Sequence, residues 1–330
     1  MFFRASEQKL GEGAKLGVKF YLLGSDGEVL AQSGYHADMM LPMASTKKIG
    51  IALTVLKRIF VDKDLDLNSE INITDSQFSA GRPTNTLDRY FFLPWAVADK
   101  RTIDELLTYM LTESDNTSTD VLLELVGGKD VVNKLMQDLN LGKHHLSFSS
   151  KSLLANYYGT TVSKSFLNIC NTLYEFLSAY SLRPTETSMV QSESDACTPQ
   201  MMADLLKLML MEKEKDESWI GKAANVIFTK MEHCLTGETT IKTGARNFLP
   251  YSSAFGSKQG GLGGIRNDTA FIHLKDGRWV ILSIHTCLSN LSLPFRDAVI
   301  ADLAKNLLIK YCNLTSQKET EINESTPLLA

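Results

Sequence analysis

Near its start the chain alternates with a period of two. Leu16, Val18, Phe20 and Leu22 fall on every second position, which predicts a strand with one buried face. Asp26-Gly27 supplies a turn and Val29 to Ser33 a returning strand, so the segment reads as a hairpin. The same logic recurs near the other end. Thr269 to Leu274 and Trp279 to Thr286 read as strands joined by Asp276-Gly277. A last helix follows, with Val299, Ile300, Leu303, Leu307 and Leu308 at helical spacing.

Between these ends the period changes. Ile49, Ala52, Leu53, Leu56, Ile59 and Phe60 form a broad apolar stripe after Ser45, the pattern of a buried helix. Thr102-Ile103-Asp104-Glu105 is a capping box that opens a helix through Leu111. Further helices are predicted over Val121 to Val126, ending at Gly127-Gly128, and over Val131 to Leu139, closed by Gly142. Thr198-Pro199 starts another, with Met202, Leu205, Leu206, Met209 and Leu210 on one face. Strands at both ends and helices between them predict an α+β fold. One antiparallel sheet is formed by the N- and C-terminal segments, beside an all-helical lobe. Residues 1–13 read as an N-terminal extension, 14–44 and 245–312 as the sheet lobe, 45–244 as the helical lobe, and 313–330 as a disordered polar tail.

A net charge of -4 argues against a nucleic-acid partner, which requires a basic surface. No apolar run reaches the roughly 18 residues of a membrane span. The first residues, Met1-Phe2-Phe3-Arg4, lack the apolar core of a secretory signal. Either the protein works in the cytoplasm or leaves by a non-classical route, or a signal has been removed. Five scattered cysteines without a Cys-x-x-Cys pair disfavour a disulfide framework and a zinc site. The six histidines show no metal-ligand spacing, so no metal or cofactor is expected.

The candidate chemistry lies in three short motifs. Ser45-Thr46-Lys47-Lys48 stands where a loop enters the apolar helix. A serine and a lysine three apart share one helical face, so the amine of Lys48 can activate the hydroxyl of Ser45, while Lys47 reads as the solvent-facing lysine. Ser114-Asp115-Asn116 lies between two helices and also suits an ordinary N-cap. Lys258-Gln259-Gly260, followed by Gly261, falls on a candidate strand whose glycines allow close approach. Each motif alone has a bland reading. Their joint occurrence in this order does not.

The set Ser-x-x-Lys, Ser-Asp-Asn, Lys-x-Gly resembles the signature of class A β-lactamases and penicillin-binding proteins, the penicillin-recognising serine hydrolases. The similarity extends to Leu41-Pro42-Met43-Ala44 before Ser45, Leu111-Thr112-Glu113 before the second motif, Thr198-Pro199 and Asn267-Asp268. It covers roughly residues 14–312. The resemblance implies the class A β-lactamase/DD-peptidase-like fold and hydrolysis of β-lactam amides through an acyl-enzyme. Ser45, Lys48 and Ser114 would be catalytic, and Asn116, Lys258, Gly260, Gly261 and Arg266 substrate-binding, with Ser45 and Gly261 N–H groups as oxyanion hole. A literal Lys242-Thr243-Gly244 competes with Lys258 but precedes Phe248-Leu249-Pro250, which the family places ahead of the lysine strand. It reads as a decoy.

Two departures qualify this picture. Gln259 stands where the family carries Thr or Ser, and no Glu-x-x-Leu-Asn supplies the glutamate that activates the deacylating water. Glu186 is the best substitute, in a segment whose neck an Arg183–Asp195 ion pair would close. Three activities therefore stay open: a β-lactamase, a related esterase or peptidase on the same fold, or a low-turnover binding or effector protein. The expected partner is a small β-lactam or acyl-peptide-like substrate, bound by a monomer.

Overall fold

Both predicted hairpins form, and they form one sheet. The computed structural model describes residues 2–74, 77, 79, 100–158, 184–213, 215 and 217–312. In chain order the strands are β1 (Lys15–Leu23), β2 (Val29–Tyr35), β3 (Leu41–Pro42), β4 (Glu70–Asn72), β5 (Lys100–Thr102), β6 (His144–His145), β7 (Ala196–Cys197), β8 (Ser252–Leu262), β9 (Ile265–Leu274) and β10 (Trp279–Cys287). The main sheet runs β2-β1-β10-β9-β8, and its pairs are antiparallel. The N-terminal hairpin thus adds to the C-terminal strands through β1 and β10, with Val18 opposite Ile284.

The sheet is covered on both faces, which is why β1 is buried at nearly every position rather than at alternate ones. Leu16, Val18, Phe20 and Leu22 pack with Val280, Leu282 and Ile284 against Val299, Ile300, Leu303 and Leu307 of the terminal helix Leu293–Cys312. Tyr21, Leu23, Phe271 and Ile281 point the other way, into a larger core shared with the helices Lys48–Lys57, Asn116–Leu125, Pro199–Lys213 and Trp219–Glu232. Alternation in β1 therefore divides the residues between two cores.

The segment expected as a separate N-terminal extension belongs to this body. Phe2–Lys9 is a helix, and Leu10 beyond it is fully buried in the terminal-helix core. Burial of a leucine contributes about 1.5–3 kcal/mol. Glu7 pins the segment, accepting from Leu16 N at 3.1 Å and from the Tyr35 hydroxyl at 2.7 Å. The polar tail at 313–330 and Arg183 lie outside the described residues.

The helical elements around the site follow their predicted signals with one change. The Thr102 capping box is present, but the helix Ile103–Thr108 widens into a π turn over Tyr109–Glu113 and stops at Ser114 in the left-handed region. Asp115 then caps the helix Asn116–Leu125, accepting from Ser118 N at 2.6 Å. Ser114 is thereby turned out of the helical path.

Candidate active site

Ser45 sits in a short 3₁₀ turn, Ala44–Lys47, that runs directly into the helix Lys48–Lys57. The turn is held from several sides. Ala44 has φ +47°, a left-handed conformation that costs an alanine about 1–3 kcal/mol and persists only where its surroundings impose it. Asn267 of β9 supplies part of that constraint, its Nδ2 donating to the carbonyls of Pro42 (2.7 Å) and Met43 (3.0 Å). Gly260 of β8 supplies another part. A Cβ there would lie 2.8 Å from Ser45 N and 2.9 Å from Met43 O, so only glycine lets the strand approach the turn.

Lys48 is fully buried and points at the second motif. Its Nζ donates to Ser114 O at 2.6 Å, Asn116 Oδ1 at 2.9 Å and Ser114 Oγ at 3.1 Å. From the opposite side, Lys258 of β8, also fully buried, donates to Ser114 Oγ at 3.0 Å and to the carbonyl of Gln259 at 2.9 Å. The structure therefore brings Lys48, Ser114, Asn116 and Lys258 into one hydrogen-bonded cluster beside the turn that carries Ser45. A hydroxyl that accepts from two amines directs its own hydrogen elsewhere.

Gln259 faces the other side of β8 in register with Asp268. Its Nε2 donates to Thr240 Oγ1 at 3.3 Å, and Thr240 donates onward to Asp268 Oδ2 at 2.7 Å. Burial pushes the Asp268 carboxyl up to about 6, against the opposing hydrogen bonds from Thr240 and Ile241. Arg266, opposite Gly261 across the β8–β9 pair, is clamped by Asp297 of the terminal helix through Nε and through Nη2 at 2.9 Å. Its Nη1 lies 3.3 Å from the point a Cβ on Gly261 would occupy. Lys242-Thr243-Gly244 lies on the helix Ile241–Ala245, where Lys242 pairs with Glu238.

Two expectations are corrected here. Glu186, expected as a water-activating base, has its carboxylate engaged by the backbone of the β8–β9 turn and of Leu288. Both of its oxygens accept backbone N–H groups, Oε2 from Gly264 at 3.0 Å and Oε1 from Leu288 at 2.9 Å. Burial raises its carboxyl above the ordinary range, and the residue clamps the β8–β9 turn. Lys47 is not solvent-facing but 2% exposed, and it is this lysine that pairs with Asp195, at 2.9 Å. Arg183, the partner expected for Asp195, lies outside the described residues. Asn267 had a family signal in the sequence; Lys47 and Asp297 had none.

Among the described residues no group of His, Cys, Asp and Glu is placed to hold a metal ion. Nor, among the described residues, is any helix long and apolar enough to cross a membrane. Cys197, Cys234, Cys287 and Cys312 are free and buried; Cys170 lies outside the described residues.

A sequence model of the β-lactamase enzyme family matches residues 8–311. The chain is 25% identical to β-lactamase VEB-1 of Pseudomonas aeruginosa, over 92% of this chain and 87% of that protein. It is 26% identical to β-lactamase Toho-1 of Escherichia coli, over 89% of this chain and 83% of that protein. The fold is similar to a mutant of the reconstructed class A β-lactamase of the last common ancestor of Gram-negative bacteria, with a TM-score of 0.71 at 21% identity, over 94% and 98% of the two chains. It is similar also to the chromosome-encoded β-lactamase of Vibrio parahaemolyticus, with a TM-score of 0.70 at 18% identity, over 94% and 98%. A match that runs from residue 8 to residue 311 places the chain in the β-lactamase enzyme family, as a serine hydrolase with the class A fold.

Proposed function

We propose that the chain opens β-lactam amides by acylating Ser45. The observation that carries this reading is the convergence of two buried lysines, Lys48 and Lys258, on the hydroxyl of Ser114 next to the Ser45 turn. Ser45 Oγ attacks the carbonyl carbon while its proton passes to Lys48, which enters this step as the neutral amine with a free lone pair and leaves it as the ammonium. The new C–O bond forms and the amide C–N bond breaks. Lys48 Nζ is 3.1 Å from Ser114 Oγ, so the proton is relayed through Ser114 to the leaving nitrogen. Asn116 Oδ1 accepts from Lys48 at 2.9 Å, which orients its amide to donate to the substrate's side-chain carbonyl. N–H groups of Ser45 and Gly261 receive the oxyanion, a contribution of about 2.7–4 kcal/mol per donor. Lys258 and Arg266 attract the substrate carboxylate. Every group in this scheme comes from one chain, so a monomer suffices.

The second half of the reaction has a separate standing. The engagement of Glu186 with Gly264 and Leu288 favours a second reading, in which the acyl-enzyme is formed by the same machinery but resolved slowly. Incubation with a fluorescent penicillin and a chromogenic cephalosporin separates the two. Multiple turnovers of the cephalosporin support the β-lactamase; a lasting stoichiometric adduct supports the slower acyl-transfer enzyme. Failure of both probes to react would exclude acylation of β-lactams by this site.

A further inference from the structure

The nucleophile turn carries a second buried lysine, and its bonds lead away from the catalytic cluster. Lys47 Nζ donates to Asp195 Oδ2 at 2.9 Å and to the carbonyl of Phe148 at 3.1 Å. Asp195 is itself fully buried, and its other oxygen accepts from Ser147 N at 3.1 Å and Phe148 N at 3.2 Å. Its backbone is committed too. Its carbonyl accepts from Met43 N at 2.8 Å, and its N–H donates to Ser147 Oγ at 3.2 Å. Asp195 leads directly into β7, which lies between β3 and β6. One aspartate therefore joins the Ser45 turn, the strand before it and the loop at 147–148.

Two conformations that side chains avoid meet at this point. Asp195 has φ +53° and Ala44 has φ +47°, one on each side of the Met43 N–Asp195 O bond. Neighbouring residues in such a turn point about 100–120° apart. Lys48 anchors one flank of the turn to Ser114 and Asn116, and Lys47 anchors another to Asp195 and Phe148. Asn267 and Gly260 hold the strand side of the turn, and the two lysines tie its remaining flanks in divergent directions. Stability alone is a weak reason for burying such a pair, because well-packed apolar groups usually do as well.

We propose that Lys47 and Asp195 are positioning residues for acylation, holding the strained turn so that Ser45 and Lys48 keep their attacking geometry. The inference rests on Ser45 being the acylated residue. Neither side chain is required to touch substrate, and their effect passes through the turn.

The test uses Lys47→Met, Asp195→Asn and the double variant, comparing thermal midpoint, noncovalent penicillin affinity and acylation rate constant. Each single variant strands one buried charge and should lose thermal stability; the double variant should recover most of it. Acylation should nevertheless fall about 10²-fold in the double variant, the scale expected when a reacting group is displaced by about 1 Å. Noncovalent affinity should stay within about twofold of wild type. A double variant that acylates within about twofold of wild type overturns the proposal, as does an equal loss of affinity and acylation rate. A wild-type chain that takes no penicillin label overturns both this proposal and the reading beneath it. A labelled wild type with an equally fast double variant overturns the positioning role alone.

Discussion

Ser114 Oγ lies 3.0 Å from Lys258 Nζ, at the point where the strand lysine meets the loop that ends the π turn. Lys48 reaches the same oxygen, so the hydroxyl hydrogen points away from both amines, as the proposed relay to the leaving nitrogen requires. Ser114→Ala should lower the acylation rate about 10²–10⁴-fold, the usual contribution of a positioned proton donor. Lys48 keeps Ser114 O and Asn116 Oδ1, and Lys258 keeps Gln259 O, so the fold should survive. Stopped-flow acylation of the variant checks this, and an unchanged rate removes Ser114 from the relay.

Arg266 is held by Asp297 along one edge of its guanidinium, with Nη1 beside Gly261. Arg266→Ala should raise KM for carboxylate-bearing substrates with kcat little changed, by roughly 1.5–3 kcal/mol of binding. Esters of the same substrates should be nearly unaffected. Equal losses on acid and ester would show that Arg266 only supports β9.

Glu186→Gln distinguishes a clamp from a catalytic base. An amide places an NH₂ group against a backbone N–H of Gly264 or Leu288, losing one hydrogen bond and about 1–3 kcal/mol of stability. The variant should unfold at lower denaturant concentration while its acyl-enzyme lifetime stays that of wild type. A long-lived adduct in an otherwise stable variant would restore the base role.

His285 lies fully buried on β10 between Gly17 and Asn267, and neither ring nitrogen has a partner among the described residues. Burial pushes the imidazole down to about 3 from its ordinary 6.5, so the folded state holds it neutral. Its contribution to stability is complete above pH 6.5 and is lost progressively as pH falls from 6.5 toward the folded value of about 3. Between pH 7 and 5 the loss should be about 2 kcal/mol. Asp268, raised to about 6, acts with the opposite sign: its contribution is present at low pH and is lost as pH rises through that value. The difference between wild type and His285→Leu therefore carries the test. Denaturant unfolding at the two pH values should show the variant losing less, and an identical loss would contradict a neutral buried His285.

The sheet and most helices were legible because each carries its own periodicity and its own punctuation, such as Asp26-Gly27, the Thr102 capping box and Thr198-Pro199. Ser45, Lys48, Ser114 and Lys258 were legible as a pattern whose joint order is rare. What stayed hidden depends on directions that no local signal encodes. Lys47 and Lys48 are adjacent identical residues, and only the folded 3₁₀ turn sends one to Asp195 and the other to Ser114. Glu186 falls at a plausible sequence distance for a base. Its two oxygens are claimed instead by the tight Gly263-Gly264 turn and by Leu288, a hundred residues away in the chain. The N-terminal helix escaped notice because it is short and mostly polar, with only Phe2 and Phe3 packing partly against the core and Leu10 buried beyond its end.

Intact-mass spectrometry after brief penicillin exposure reads directly whether Ser45 is the acylated nucleophile. Wild type should gain the mass of one penicillin, with the modification on the peptide that carries Ser45, and Ser45→Ala should gain nothing. A modified Ser45→Ala chain, or a label placed on another peptide, would remove Ser45 as the nucleophile.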